Sequence, residues 1–120
     1  MIVGVGIDLI EIKRVTDACK KERFIVEVFT EDERKIIDLD IIKAADNFAV
    51  KEAVVKMLGT GFRKIKAIEI EVLRNEMGKP YVNLYGEALN EANKQMVNKI
   101  HVSISNTKEY SNAFVVGESI

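Results

Sequence analysis

A lone aspartate inside an apolar run constrains this chain more than any other feature. The run is Ile2-Val3-Gly4-Val5-Gly6-Ile7-Asp8-Leu9-Ile10, and a second segment, Phe48–Lys56, sets Lys51, Glu52 and Lys56 among Phe48, Ala49, Val50, Ala53, Val54 and Val55. A carboxylate between buried neighbours loses hydration and must find a cation, a donor or a proton. Two carboxylates, Asp8 and Glu52, and two lysines in such surroundings point to a metal–phosphate site.

The rest of the composition narrows the class. With 120 residues, 48% of them apolar, the chain makes one domain over residues 1–120 with a real core. A single cysteine, Cys19, excludes an internal disulfide framework. No stretch approaches the roughly 20 apolar residues of a membrane span. Met1 leads directly into a strand-like run without a basic leader, so the expected location is cytoplasmic, away from membranes. Charge is balanced, 18 basic against 19 acidic residues, which argues against a nucleic-acid partner. Locally it is not balanced. Lys13–Arg23 holds five basic and two acidic residues and Lys51–Lys66 five and one, whereas Glu27–Asp40 holds six acidic and two basic. Two positive patches on a neutral protein suit a polyphosphate ligand and an acidic protein surface.

Periodicity predicts a strand at about residues 2–7, with Gly4, Gly6 and Asp8 on one face and Val3, Val5 and Ile7 on the other. A helix follows, with Ile12, Val15, Ala18 and Cys19 inward and Lys13, Arg14, Asp17, Lys20 and Lys21 mostly toward water. Thr30-Glu31-Asp32-Glu33 has the form of a capping box that opens a second helix. A longer helix runs from Asp40 or Ile41 to Leu58 and closes at Gly59-Thr60-Gly61. Ile68, Ile70 and Val72 alternate with Glu69 and Glu71, which predicts a strand with one wet face. Met77–Pro80 turns into a strand over Tyr81–Tyr85, then a helix over about Glu87–Val97 and strands over Ile100–Ser105 and Ala113–Glu118. Helices and strands in blocks give an α+β domain, helices packed on a mainly antiparallel sheet.

Each feature also has a plainer reading. Asp8 with Glu11 can cap the first helix, and on spacing alone capping is favoured. Glu52 and Lys56, four apart, can be an ordinary helix ion pair worth about 0.3–0.5 kcal/mol. Against that pair stands its placement, since the apolar residues around it leave little exposed face. His101 is the only histidine, so a histidine-rich zinc site is excluded. Cys19 reads as a small hydrophobe. Gly4 and Gly6 alone do not make a dinucleotide fingerprint.

Taken together, the opening Gly4–Ile12, Phe29-Thr30 with Glu33, Phe48–Lys56, Gly59-Thr60-Gly61, Gly78-Lys79-Pro80 and Val102-Ser103-Ile104-Ser105 make the chain resemble the holo-acyl-carrier-protein synthases. These are the short 4′-phosphopantetheinyl transferases. The resemblance implies their fold and a transfer of phosphopantetheine from coenzyme A to a serine of apo acyl carrier protein, releasing adenosine 3′,5′-bisphosphate, in support of fatty acid biosynthesis. It implies Mg²⁺ held by Asp8 and Glu52, a hard cation suited to carboxylates and phosphates, and Lys56 as a charge-stabilising catalytic residue. It implies coenzyme A contacts from Lys56, Gly78, Lys79, Pro80, Ser103, Ser105, Asn106 and Thr107. Arg14, Lys21 and Arg23, read as one basic first helix, would dock the acidic carrier protein. A homotrimer with sites between subunits is implied as well.

Two positions depart from that family's pattern: Asn106 stands where a histidine is common and Asn47 where an arginine is. Neither asparagine supplies positive charge, so weaker coenzyme binding is expected. A binding module for an acidic protein, or a ligand-sensing oligomer without chemistry, would keep the fold and could lose Asp8 and Glu52 without penalty.

Overall fold

The computed structural model describes residues 1–120. Strand β1 (Ile2–Glu11) leads into three short helices, α1 (Ile12–Ala18), α2 (Glu22–Val28) and α3 (Glu31–Leu39), and then into the long helix α4 (Ile42–Leu58). A 3₁₀ turn at Ala67–Glu69 precedes strands β2 (Ile70–Arg74) and β3 (Pro80–Leu84). Helix α5 (Gly86–Lys94) and strands β4 (Lys99–Asn106) and β5 (Tyr110–Glu118) complete the chain. The strands form two antiparallel sheets, β1-β5-β4 and β2-β3. The α+β class expected from the blocked order of elements is the one observed.

Helix α4 carries apolar residues around most of its circumference because most of it is buried, with Lys56 exposed and Glu52 half-buried. Ala49, Val50, Ala53 and Val54 are fully buried between the larger sheet and the layer of α3 and β2. Strand β1 reaches it through glycine. A Cβ at Gly6 would collide with the backbone carbonyl of Ala53, and one at Gly4 with that of Met57, so the strand lies on bare helix backbone. At the far end Gly59 takes the left-handed conformation at φ +75°, and its N–H bonds the Lys56 carbonyl. The capping box forms as expected: Glu33 N–H donates to Thr30 Oγ1 and Thr30 N–H to Glu33 Oε1.

Several expectations need correction. β1 runs to Glu11, four residues further than periodicity predicted, because its register with β5 continues to the Glu11–Tyr110 pair. Asp8 therefore sits within a strand and does not cap α1; Glu11 stands at that cap position without a side-chain bond. The strand's buried face is Gly6, Asp8 and Ile10, while its apolar residues Val3, Val5, Ile7 and Leu9 are exposed. Helix α2 was not read from the sequence, since none of its residues is buried enough to print a clear stripe. Glu71, assigned to a wet face, is buried: it accepts from Thr30 Oγ1 at 2.7 Å, Tyr85 Oη at 3.0 Å and Asn83 Nδ2 at 3.1 Å. A buried carboxylate with three donors looks like a surface residue in an alternating pattern, because the pattern reports polarity and not partners.

The glycine notch gives a direct test. Gly6→Ala should lower unfolding free energy by about 1–3 kcal/mol, the usual cost of overpacking, read as a lower urea midpoint.

Candidate active site

Asp8 and Glu52, forty-four positions apart in the chain, close on one point. Asp8 reaches it from the buried face of β1 and Glu52 from the second-last turn of α4, close enough for the Asp8 carboxylate to raise the Glu52 carboxyl. Lys56, one turn beyond Glu52, donates through Nζ to Asp8 Oδ1 at 2.9 Å and to the Ile7 carbonyl at 3.0 Å. Glu52 and Lys56 thus face Asp8 together, rather than forming a decorative pair on the helix surface. Asn112 of β5 fixes the strand from the other side, donating to the Asp8 carbonyl at 2.9 Å.

The electrostatics of this point are unbalanced. Burial, and then the neighbouring Asp8 carboxylate, push the Glu52 carboxyl above its ordinary range, while Lys56 and Arg14 pull it back. Asp8 Oδ2 is buried without any hydrogen-bond partner. An orphaned carboxylate oxygen beside a second, reluctant carboxylate is a donor set with capacity for a cation. No group of three or more His, Cys, Asp or Glu side chains converges anywhere in the chain. A metal here would have two protein oxygens, which suits Mg²⁺ completed by water and substrate phosphate and does not suit structural zinc.

A second group of the expected residues meets elsewhere. Gly78, Pro80 and Asn106 line a cavity of about 190 Å³ together with Lys43, Asp46, Arg74 and Ile104. Gly78, at φ +83°, makes the turn into β3, and Lys79 is exposed on it, its N–H bound by Asn75 Oδ1 at 2.9 Å. Asn106 does not point an idle amide at solvent: its Nδ2 donates to both oxygens of buried Asp46, at 2.9 and 3.2 Å, and Ser111 Oγ adds a third bond at 2.7 Å. Arg74 is a cation on the cavity beside Lys43, with Nη2 buried and unpartnered. Arg74 carries no motif in the sequence, where it is only an arginine four residues before Gly78.

Other assignments scatter. Asn47 is fully buried and bonds Glu33 Oε2 at 2.9 Å and the Val72 carbonyl at 3.0 Å, so it is part of the core and not a surface contact. Lys51, grouped with the charges of the site from sequence, points the opposite way from Glu52 into the core. Ser103 and Ser105 are exposed on the outer face of the larger sheet, beside Phe114 and Asn112. Thr107 Oγ1 accepts from Glu109 and Tyr110 N–H groups and holds the β4–β5 turn. Arg14, Lys21 and Arg23 do not share one helix: Arg14 is exposed on α1, Lys21 caps α2, and Arg23 pairs with Glu27 at 2.9 Å.

Residues 4–114 match the model of the 4′-phosphopantetheinyl transferase superfamily. The chain belongs to that superfamily. It is 59% identical to the holo-[acyl-carrier-protein] synthase of Lachnoclostridium phytofermentans, across 100% of this chain and 98% of that one. Among solved structures, the Bacillus anthracis holo-(acyl-carrier-protein) synthase in complex with CoA (3′,5′-ADP) superposes with a TM-score of 0.81 at 34% identity, over 100% of this chain and 99% of that one. The Neisseria meningitidis holo-[acyl-carrier-protein] synthase superposes at 0.87 with 30% identity, over 99% and 100%. Within this superfamily fold, the paired carboxylates sit where strand β1 and helix α4 touch, on rigid elements rather than loops.

The crowding of Asp8 and Glu52 carries a sign. A carboxyl raised in the folded state favours folding below its unfolded pKa and loses that contribution as pH rises through the folded value. Metal-free protein should therefore weaken as pH climbs through the raised Glu52 value. Glu52→Gln should melt at a higher temperature than the parent at pH 7 in chelator, with the difference vanishing at pH 4; an equal or lower melting temperature at pH 7 would contradict the crowding.

Proposed function

We propose that this chain transfers 4′-phosphopantetheine from coenzyme A to the serine hydroxyl of an apo acyl carrier protein. The observation that carries the reading is the convergence of Asp8, Glu52 and Lys56 within a superfamily fold shared with holo-acyl-carrier-protein synthases. In the reaction the serine oxygen bonds the phosphorus that bears pantetheine. The phosphorus–oxygen bond to adenosine 3′,5′-bisphosphate breaks, and the serine proton leaves. Such a transfer asks little covalent chemistry of the protein and much positioning and charge stabilisation.

Asp8 and Glu52 would hold Mg²⁺, which when bound supplies positive charge beside the pyrophosphate. Lys56 is poised for the same task. Asp8 and the Ile7 carbonyl aim its ammonium while leaving the side chain more than half exposed, so it can meet a phosphoryl oxygen. Arg74 and Lys43, on the cavity with Gly78, Pro80 and Asn106, are the cations available to a phosphate at the nucleotide end. Exposed Arg14, close enough to act on Glu52, and Lys21 offer positive charge to an acidic carrier protein beside the site.

The active form proposed is a homotrimer. Asp46 and Glu52 are six residues apart on α4, about 9 Å along its axis and on different sides of it, so one chain does not gather the cavity and the carboxylates on one face. The outer face of the larger sheet exposes Val5 (55%), Ile7 (56%), Leu9 (64%) and Phe114 (43%) side by side. A contiguous apolar sheet face of this kind fits contact with further copies, which would join the two halves across the interface. A helix long and apolar enough to cross a membrane is lacking, in keeping with work in the cytoplasm.

The deciding measurement is the mass of apo acyl carrier protein after incubation with this protein, coenzyme A and Mg²⁺. A pantetheinyl adduct should appear and should vanish with chelator; no adduct under saturating conditions removes the reading. Lys56→Met should slow transfer by about 10²–10³-fold. Arg74→Gln should weaken coenzyme A about tenfold, as loss of a hydrogen bond to a charged group does, with the rate at saturation unchanged. Asn106→His should tighten coenzyme A, since it adds a potential cation, and equal affinities would remove a phosphate role for that position. Sedimentation should give three times the monomer mass for the parent and less for Phe114→Lys.

A further inference from the structure

Helix α4 has almost no hydrophobic directionality, because apolar residues cover it all round. The hydrophobic pattern alone therefore gives it little reason to prefer one rotation about its axis over another, which leaves the roll to the close fit against β1 at Gly4 and Gly6 and to specific polar contacts. Yet rotation decides the site: each residue along a helix turns by about 100°, so Glu52 faces Asp8 only if the helix is set to within a fraction of that angle.

Buried polar contacts supply the setting: Asp46, in the first turns, is held by Asn106 and Ser111, and a second group sits beside Glu52 itself. Lys51, wholly buried, donates through Nζ to Glu33 Oε1 at 2.8 Å, to the Ala67 carbonyl at 2.9 Å and to the Ile70 carbonyl, and its ammonium lies 5.4 Å from the centre of the Phe29 ring. Asn47, one turn earlier on the same side, bonds Glu33 Oε2 and the Val72 carbonyl. Glu33 is itself immobilised, accepting from Thr30 N–H at 3.1 Å and Val72 N–H at 3.2 Å. All partners of this second group belong to α3, the turn before β2, or β2; none belongs to β1. Apolar packing tolerates a helix sliding or rolling by part of a turn, but a buried ammonium with three fixed acceptors does not, since any roll leaves a charge or a carbonyl unpaired.

We infer that Lys51 is a positioning residue for the reaction: its buried pair with Glu33 fixes the roll of α4 and so holds the next residue, Glu52, opposite Asp8. The inference rests on the proposed role of Asp8 and Glu52 as the metal carboxylates. Lys51 touches neither substrate nor metal. It acts from the far side of the helix, and the chain uses two consecutive residues, 51 and 52, as lock and ligand.

The test reads metal binding directly, with Mn²⁺ as a paramagnetic probe followed by its free-ion spectrum. Lys51→Met with Glu33→Gln removes both charges together, so no lone charge is left buried. This variant should bind Mn²⁺ about tenfold more weakly or worse, as changes behind metal ligands do. The Mg²⁺ concentration for half-maximal transfer should rise by the same factor, while the KM for coenzyme A at saturating metal stays put. Val97→Ala, a core truncation away from the pair, should lower the melting temperature without moving Mn²⁺ affinity. Glu33→Asp, a gentler change that keeps the charges and draws the anchor back by one methylene, should shift Mn²⁺ affinity in the same direction; it carries the test should the double variant not fold. Parent-like Mn²⁺ affinity in the folded double variant, or in Glu33→Asp if only that folds, overturns the inference. A parent that binds no Mn²⁺ at all overturns it together with the metal reading beneath it.

Discussion

The close approach of β1 to α4 is the constraint on which the site depends. Without side chains at Gly4 and Gly6 the strand backbone rests on the carbonyls of Ala53 and Met57, and that brings Asp8 to the helix flank that carries Glu52 and Lys56. Any Cβ there would lift the strand by the width of a methyl group. Under the proposed metal role, the separation between two carboxylates that share one small cation has no such slack.

Much of this was legible in the sequence, for physical reasons. The ends of α3 and α4 were readable because capping is local, a hydroxyl and a carboxylate three residues apart or a glycine after the last turn. The pair Asp8 and Glu52 was readable because charges are costly in apolar surroundings and so announce a function. What stayed hidden depends on distant partners. Lys51 and Glu52 are adjacent charges in one apolar helix, and nothing local says that one serves the core and the other the site. Only the position of Glu33, eighteen residues earlier, decides it. Glu71 looked solvated for the same reason, since its three donors come from Thr30, Asn83 and Tyr85.

The cavity lined by Gly78 and Asn106 shows a different limit. From sequence, Asn47 and Asn106 are simply two asparagines where basic residues are usual. In the fold they have separate fates. Asn47 is drawn into the core by Glu33 and Val72, and Asn106 is engaged by Asp46, itself held by Ser111. The positive charge left at the cavity comes from Arg74 and Lys43, two residues to which the resemblance gave no role. A cation lost at one position and present at another on the same wall preserves the electrostatics of a pocket while erasing its motif.

Strand β1 alternates between two duties. Gly4, Gly6 and Asp8 turn inward to the helix, and Val5, Ile7 and Leu9 turn outward on the bare sheet. The proposed chemistry and the proposed association thereby fall on alternate letters of one ten-residue word, and a single insertion or deletion would exchange them. Drift in this segment is confined to substitutions that preserve parity, so its length should prove far more resistant to change than the loops around it.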